Sequence, residues 1–446
     1  YQEYLLLIDP EHLETLVFRG ALKRVSHAEA RSAQRYERYE RDSGDYVKKG
    51  WELKFLGDLF DITSSKRVFE SEWKKQGVPF YRAREIVKLA NNRFVNNELF
   101  ISNEMFNQYS KKYGIPVEDD IMVTGVGTLG ICYVVRSNDK FYFKDGNIIW
   151  LRKKSDVNSR FVEYAFKSDY LRAQIDNSNG ATVGTYTIVK AKSTSIPIPS
   201  LSEQQRIVGI LDEAFEGIEK AKVNAQRNLD NAREVFESYL NEVFTKRGEG
   251  WVEKTISHIG KVYDGPHATP HTVHDGPIFL GISALNDGEI DLSETRHVTM
   301  LDYNKWTKRI EPQENDIVFS YETRLGQVAI IPKGLKCCLG RRMGLIRLDL
   351  RIIDPEYFIH MYTSSMFQEY LENKTIRGTT VDRISIRDFP SFIIYMPNLE
   401  KQKDIACRIR LVKMAYIQLQ SIYRRKLSAL DELKQALLHR AFSGEL

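Results

Sequence analysis

The sequence has only four cysteines in 446 residues, Cys132, Cys337, Cys338 and Cys407, and no C-x-x-C pair among them. That leaves no disulfide framework and no zinc-ribbon spacing, and it fits a reducing compartment. No run of about 18 apolar residues occurs, which argues against a membrane-spanning helix. The opening "YQEYLLLIDPEHL" lacks the basic region and long apolar core of a signal peptide. A strong charge excess is also missing. Lys plus Arg number 65 against 60 Asp plus Glu, a net +5, which permits nucleic-acid contact without demanding it. There is no G-x-x-x-x-G-K-[ST] phosphate loop, so ATP-driven translocation is not expected in this chain. There is no N/D-P-P-F/Y tetrapeptide of the kind that positions a target amine in amino-methyltransferases. Short acid–base triplets such as Glu52–Lys54 and Glu72–Lys74 are common by chance and form no nuclease constellation.

What is present is a duplication. A hydrophobic fraction of 42% and a charged fraction of 28% are those of a globular protein, and the length calls for two or more cores. "KKGWELKFLGDLFDI" (48–62) is echoed by "GEGWVEKTISHIGKV" (248–262). "EDDIMVTGVGTLGICYVV" (118–135) aligns without a gap on "ENDIVFSYETRLGQVAII" (314–331). "NGATVGTYTIVKAKSTSIPIPSLSEQ" (179–204) aligns on "RGTTVDRISIRDFPSFIIYMPNLEKQ" (377–402), and Leu201–Phe244 lies ungapped on Leu399–Phe442. A period near 200 residues is too long for a solenoid repeat and marks a duplicated two-part unit, a globular domain followed by a helix.

The globular parts read as mixed α/β. "DIMVTGVGTLGICYVV" and "DIVFSYETRLGQVAII" are strand, tight turn, strand. "SRFVEYAFKSDYLRAQI" and "PEYFIHMYTSSMFQEYL" carry helical spacing. In the long helices Leu211, Ile218, Ala225, Ala232 and Tyr239 recur every seven residues, with Phe215, Leu229, Phe236 and Val243 on a second seam. The second copy repeats the first seam with Ile409, Tyr416, Tyr423, Leu430 and Leu437. Its second seam is better served one residue earlier, by Ile405, Val412, Leu419 and Leu433, so the apolar face rotates slightly between copies. Heptads of this length predict a coiled coil, each helix roughly 65 Å long at 1.5 Å per residue. Ser200 and Glu203 form an S-x-x-E capping box at the first helix. Asn398 can cap the second, where Lys401 replaces the glutamate. The expected fold class is α/β (α+β): two duplicated domains and two long helices in an antiparallel coiled coil, related by a pseudo-twofold axis. The expected segments are an N-terminal extension (1–45), a first domain (46–200), a first helix (201–246), a second domain (247–398) and a second helix (399–446).

This order, with "IPIPSLSEQQRIVGILDE" opening a long helix, "GWELKFLGDLF" opening a domain and "AFSGEL" closing the second helix, resembles the specificity subunit of Type I restriction–modification enzymes over residues 46–446. The resemblance implies two target-recognition domains, each reading one half of a split double-stranded DNA sequence. It also implies a coiled coil that docks two methyltransferase subunits, with restriction/translocase subunits joining that core. The chain itself would do no chemistry and bind no cofactor. S-adenosylmethionine, and ATP with Mg2+, would sit on the partner subunits. The setting would be bacterial or archaeal cytoplasm, with no membrane partner. Two alternatives stay open: a coiled-coil scaffold that does not bind DNA, and an orphan specificity subunit serving a stand-alone methylase. In the extension, "HLETLVFRGALKR" (12–24) echoes "LHRAFSGEL" and suggests part of a helical region completing a circular arrangement. A charged helix at "AEARSAQRYERYERD" reads equally well as an added surface segment.

Candidate DNA contacts follow from residue type and place. In the first domain they are Ser65, Lys66, Arg67, Arg82, Arg84, Thr124 and Thr128, with Gly180 and Thr182 in a backbone-clamping loop. In the second they are His267, Thr269, His271, Tyr321, Arg324, Arg341 and Arg342, with Gly378, Thr380 and Arg383 in the matching loop. Arg can grip guanine O6 and N7 together, while Lys and Thr hold phosphate. "GVGTLG" (125–130) matches a dinucleotide fingerprint, but "ICYVV" follows it where a helix is needed, so a glycine turn between strands is expected instead. His267, His271 and His274 lie in a proline-broken loop rather than at helical i, i+4 spacing. The polar, basic "TSSKR" at the aligned position of the first domain favours DNA over a metal there.

Overall fold

The computed structural model describes residues 48–91, 94–176, 184–286, 288–378 and 381–446. The extension 1–45 and the candidates Gly180, Thr182 and Thr380 lie outside the described residues. The chain forms two units. The first comprises the residues up to Glu216 together with Leu433–Leu446, and the second comprises Gly217–Glu432.

In the first unit a four-stranded antiparallel sheet runs Phe60–Thr63, Ile148–Lys153, Ile121–Thr124, Cys132–Val134. A three-stranded sheet, Phe100–Ile101, Val78–Tyr81, Tyr142–Phe143, carries a parallel pair. Glu52–Phe55 pairs with Ser195–Ile198, so the two ends of the domain close on each other. The second unit repeats each element. Gly260–Asp264, Met343–Leu348, Ile317–Ser320 and Val328–Ile330 make the four-stranded sheet. Arg296–His297, Val273–Leu280 and Cys337–Leu339 make the three-stranded one, and Val252–Thr255 pairs with Ile393–Met396. The central strands 121–124 and 317–320 are buried on both faces, which is why they read as unbroken apolar runs rather than alternating ones.

The turns between those strands explain the glycines. Gly127 and Gly130 take φ of 78° and 70°, in the region where glycine alone carries no Cβ penalty. In the second unit Gly326 keeps that conformation, but Thr323 adopts φ 70° without being glycine.

Both long helices are continuous, Leu201–Thr245 and Leu399–Phe442. Within the second unit Lys222 meets Asp431 at 2.7 Å and Phe236 stacks on Tyr416 at 5.4 Å. Within the first, Lys434 lies over the Phe215 ring and Arg206 donates to the Leu446 carbonyl at 2.7 Å. Partner numbers fall as residue numbers rise, so the pairing is antiparallel in each unit. Leu211, Phe215, Ile218, Ile409 and Leu430 are buried; Leu229, Phe236, Val412, Tyr416, Leu419, Tyr423, Leu433 and Leu437 are half-buried. Polar residues interrupting the seam are partnered: Lys222 by Asp431, Lys434 by Phe215, Gln420 by the Tyr416 hydroxyl. The expected class, duplicated mixed α/β domains with two long helices in antiparallel pairing, is the one found.

The start of each long helix is fixed by one glutamine. Gln204, 1% exposed, accepts the Asn158 N–H at 2.9 Å and donates to the Pro199 carbonyl at 2.9 Å. Gln402, 0% exposed, accepts the Asp354 N–H and donates to the Pro397 carbonyl, again at 2.9 Å. Asn158 and Asp354 themselves cap the domain helices Ser159–Lys167 and Pro355–Thr363. One buried amide therefore ties helix, linker and domain together, leaving none of these groups orphaned. The expected capping box is corrected here. Glu203 turns away to Arg206 at 2.7 Å, and only a long 3.4 Å bond joins Ser200 to the Glu203 N–H. The second helix has the better cap, from Asn398 to the Lys401 N–H at 2.9 Å.

An ion pair next to each anchor has opposite polarity in the two copies. Arg160 on the domain helix meets Asp212 on the long helix at 2.6 Å, and at the aligned positions Glu356 meets Arg410 at 2.8 Å. His360 occupies the place of Tyr164. It is buried, its Nε2 lacks a hydrogen bond, and Glu356, Lys413 and Arg410 are the charged groups around it. Burial, reinforced by Lys413 and Arg410, lowers its pKa to about 4. An unfolded histidine titrates near 6.5, so between about pH 6.5 and 4 the unfolded chain binds the proton that the folded chain refuses. The second unit should therefore lose stability as pH falls through that window, by roughly 3 kcal/mol at most. Melting curves of His360→Gln should be flatter than the parent's between pH 6.5 and 4, and equal slopes would refute this.

Candidate nucleic-acid interface

The polar loop after each domain's first sheet strand comes up against the C-terminal end of a helix. In the first unit the Ser65 hydroxyl donates to the Phe143 carbonyl at 2.7 Å, and the Lys66 N–H donates to the Tyr142 hydroxyl at 2.9 Å. These bonds pin the loop backbone and leave the Lys66 and Arg67 side chains outside. Arg67 pairs with Asp145 at 2.9 Å while its side chain stays 66% exposed. Helix Asn103–Tyr113 ends beside them: the Tyr109 hydroxyl reaches the Arg67 carbonyl, and both Lys66 and Lys112 lie over the Tyr113 ring. Lys111 and Lys112 are exposed, so this end gathers four cations.

The second unit builds the same junction from other residues. Asp264 ends the strand and is its hub. Its carboxylate accepts from the Tyr321 hydroxyl at 2.9 Å and lies 2.9 Å from His267 Nε2, and its carbonyl accepts from Arg309 at 3.1 Å. Helix Met300–Trp306 leads into exposed Lys308 and Arg309, the counterparts of Lys111 and Lys112. Thr269 and His271 are exposed in the loop, His271 within reach of the Thr272 carbonyl. His267 and His271 are thus engaged separately, and no cluster of three or more metal-ligating side chains occurs among the described residues.

A second group lies around the turn of each hairpin. Arg342, at φ 71°, pairs with Glu322 at 2.8 Å and donates to the Thr323 hydroxyl at 3.1 Å. Arg383 exchanges backbone bonds with Ile376 and bridges to Glu322, closing the loop that holds Gly378, whose N–H donates to Asp382. Arg324 reaches the carbonyls of Ile282 and Ser283 by long bonds, and Arg341 is exposed. Two adjacent non-glycine residues with positive φ, Thr323 and Arg342, mark backbone held against its preference, as ligand clamps often are. In the first unit exposed Thr128 takes the hairpin-tip place. Arg82 and Arg84 stand apart, both bonded to buried Glu85 and paired with Glu98. Burial works to raise the Glu85 pKa, but hydrogen bonds from Arg82 and Arg84 outweigh it and hold the carboxyl below its usual range.

Two candidates leave the set. Thr124 is wholly buried, and its hydroxyl bonds the Thr128 carbonyl while accepting the Ile131 N–H, so it holds the turn and faces no ligand. Tyr321 is 5% exposed, with its hydroxyl spent on Asp264. Burial and that bond raise its pKa. The sequence reading missed Lys111, Lys112, Lys305, Lys308, Arg309 and the hub Asp264. A signal existed: "YSKKY" and "WTKRI" both place two cations just after an aromatic residue. Basic residues at a helix C-terminus also suit the helix dipole, which made the pattern look ordinary.

The Type I restriction modification DNA specificity domain matches residues 48–226 and again 237–414. The chain belongs to that family. Among its relatives, the EcoBI specificity subunit of Escherichia coli is 20% identical over 90% of this chain and 87% of its own length. The putative MjaX specificity subunit of Methanocaldococcus jannaschii is 22% identical over 92% and 97%. An HsdS subunit from Thermoanaerobacter tengcongensis shares the fold with a TM-score of 0.59 at 17% identity, covering 90% of this chain and 99% of that one. A chain solved in work on complex assembly and conformational transition of the type I R-M system reaches 0.70 at 18% identity, over 90% and 100%. The tandem match makes this a Type I specificity subunit with two recognition domains. Among the described residues no helix is long and apolar enough to cross a membrane.

Proposed function

We propose that this specificity subunit reads an asymmetric, bipartite double-stranded DNA target, one half with each domain, and docks methyltransferase subunits on its long helices, through which restriction subunits join. The observation that carries the reading is the junction built twice from different side chains. Ser65, Lys66 and Arg67 stand in one copy where His267, Thr269 and His271 stand in the other, while the flanking pair of helix-end cations is kept. Kept cations suit phosphate, which is the same everywhere on DNA; changed loop residues suit base edges, which are not. Two different loops imply two different half-sites.

The chain's part is recognition. The glycine turn at 125–130 joins strands Ile121–Thr124 and Cys132–Val134. It therefore opens no helix whose N-terminus could hold a pyrophosphate. S-adenosylmethionine, ATP and Mg2+ are assigned to the partner subunits on the strength of the family resemblance. Co-expression with the cognate methyltransferase should yield a complex of two methyltransferase chains per specificity chain by native mass spectrometry. Recovery of both proteins only as separate species would count against docking.

A further inference from the structure

The second domain carries a cleft that DNA phosphate contacts alone do not account for. Its volume is about 320 Å³, near the lower end of small-ligand sites, which start at about 300 Å³. Pro266, Trp306, Ile310 and Leu339 give it an apolar lining, and Lys305, Lys308 and Arg309 supply cations. Its acidic group, Asp264, is engaged by Tyr321 and His267. The indole N–H of Trp306 is buried and without a hydrogen-bond partner, as is that of Trp73 in the first unit, so it does not set this cleft apart. An aromatic and aliphatic floor with a cationic rim fits a planar heterocycle carrying a phosphate.

The first domain shows the contrast. At the positions of Trp306 and Ile310 it has Tyr109 and Tyr113. The Tyr109 hydroxyl bonds the Arg67 carbonyl, and the Tyr113 ring packs edge-on against Tyr109 at 5.5 Å under Lys66 and Lys112. Tyr109 and Tyr113 fill the junction there, while in the second domain Lys305 lies over the Trp306 ring at 6.0 Å.

We infer that the cleft beside Trp306 takes one unstacked nucleotide, its base against the Trp306 ring and its phosphate on Lys305 and Lys308, supplied by the DNA that the second domain reads. The inference rests on the DNA-binding reading for the source of the nucleotide. Proteins that extract a base recover the unstacking cost by stacking and edge contacts in such a pocket, and DNA already unpaired at that point costs less to open. The cleft therefore favours DNA with an extrahelical nucleotide over a perfect duplex.

The test is ¹⁹F NMR on the full chain labelled with 5-fluorotryptophan. The five tryptophans give five resonances, and Trp306→Phe assigns the one of interest. The probes are a deoxynucleoside monophosphate, inorganic phosphate, and a duplex with a single-nucleotide bulge, with DNA binding followed in parallel by fluorescence anisotropy. The expected result is that the Trp306 resonance moves with the monophosphate and with the bulged duplex, not with inorganic phosphate. Lys305→Glu with Lys308→Glu should raise the half-saturating concentration of monophosphate about tenfold, the other four resonances staying in place. Movement with inorganic phosphate alone would reduce the cleft to a phosphate site and overturn the proposal. A still resonance with DNA bound by anisotropy would sink the cleft and spare the DNA reading. Movement with monophosphate while no DNA binds would do the reverse, leaving a site for free nucleotide.

Discussion

Replacing Lys111, Lys112, Lys308 and Arg309 together by glutamine is expected to weaken double-stranded DNA binding by about 100-fold or more near 0.1 M salt, and to flatten the plot of log affinity against log salt by about four. The four residues are exposed and sit at the same helix end in both domains, where, on the proposed reading, a pair of cations spans neighbouring phosphates. Each phosphate contact releases condensed counterions, so each one lost removes close to one from the salt slope. Sequence preference should survive, because the loop residues that differ between the domains are untouched. Loop substitutions, His267→Ala or Arg67→Ala, should act the other way, relaxing preference at one half-site and leaving the salt slope nearly unchanged. Titration by fluorescence anisotropy at several salt concentrations decides it. An unaltered slope in the fourfold variant would place the DNA elsewhere.

The second large effect is structural. Phe442→Ala should destabilise the first unit, and Phe244→Ala the second, each by about 3–4 kcal/mol. The two rings are equivalent by the duplication. Phe442 packs on Phe161 at 5.1 Å, and Phe161 in turn meets Trp51; Phe244 packs on Tyr357 at 5.6 Å, with Trp251 against both. Phe244 is wholly buried and Phe442 nearly so, so truncation leaves a cavity that the surroundings only partly fill. Because a chain of two units need not unfold in one step, hydrogen exchange is a better readout than a single melting temperature. Faster exchange should be concentrated in residues 48–216 for Phe442→Ala and in 217–432 for Phe244→Ala. Loss of protection in the opposite unit would contradict the assignment of each ring.

Much of this was legible in the sequence because duplication supplies its own alignment. The hairpin at 121–134, the seam from Leu211 to Phe236, and the rotated seam through Val412, Leu419 and Leu433 each followed from periodicity, which depends on neighbours a few residues away. What stayed hidden depends on distant partners. Asp264 gains its role from Tyr321 and Arg309, 57 and 45 residues along. Gln204 looked like one more polar helix residue until its amide met Asn158, 46 residues back. Thr124 has the chemistry of a DNA contact, but a strand buried on both faces gives no alternation to show which polar side chain points inward. Tyr321, one residue past the equivalent strand, is held inward by Asp264. Glu203 had the right spacing for a capping box and a nearer cation in Arg206, and the local ion pair won.

The central claim is that this chain specifies sequence. The most direct measurement is a map of N6-methyladenine in host DNA when the cognate methyltransferase is expressed with and without this chain. The expected map shows one split motif with two unlike halves, present only when the chain is present. A motif that persists without the chain, or no motif despite an intact complex of the two proteins, would contradict the account.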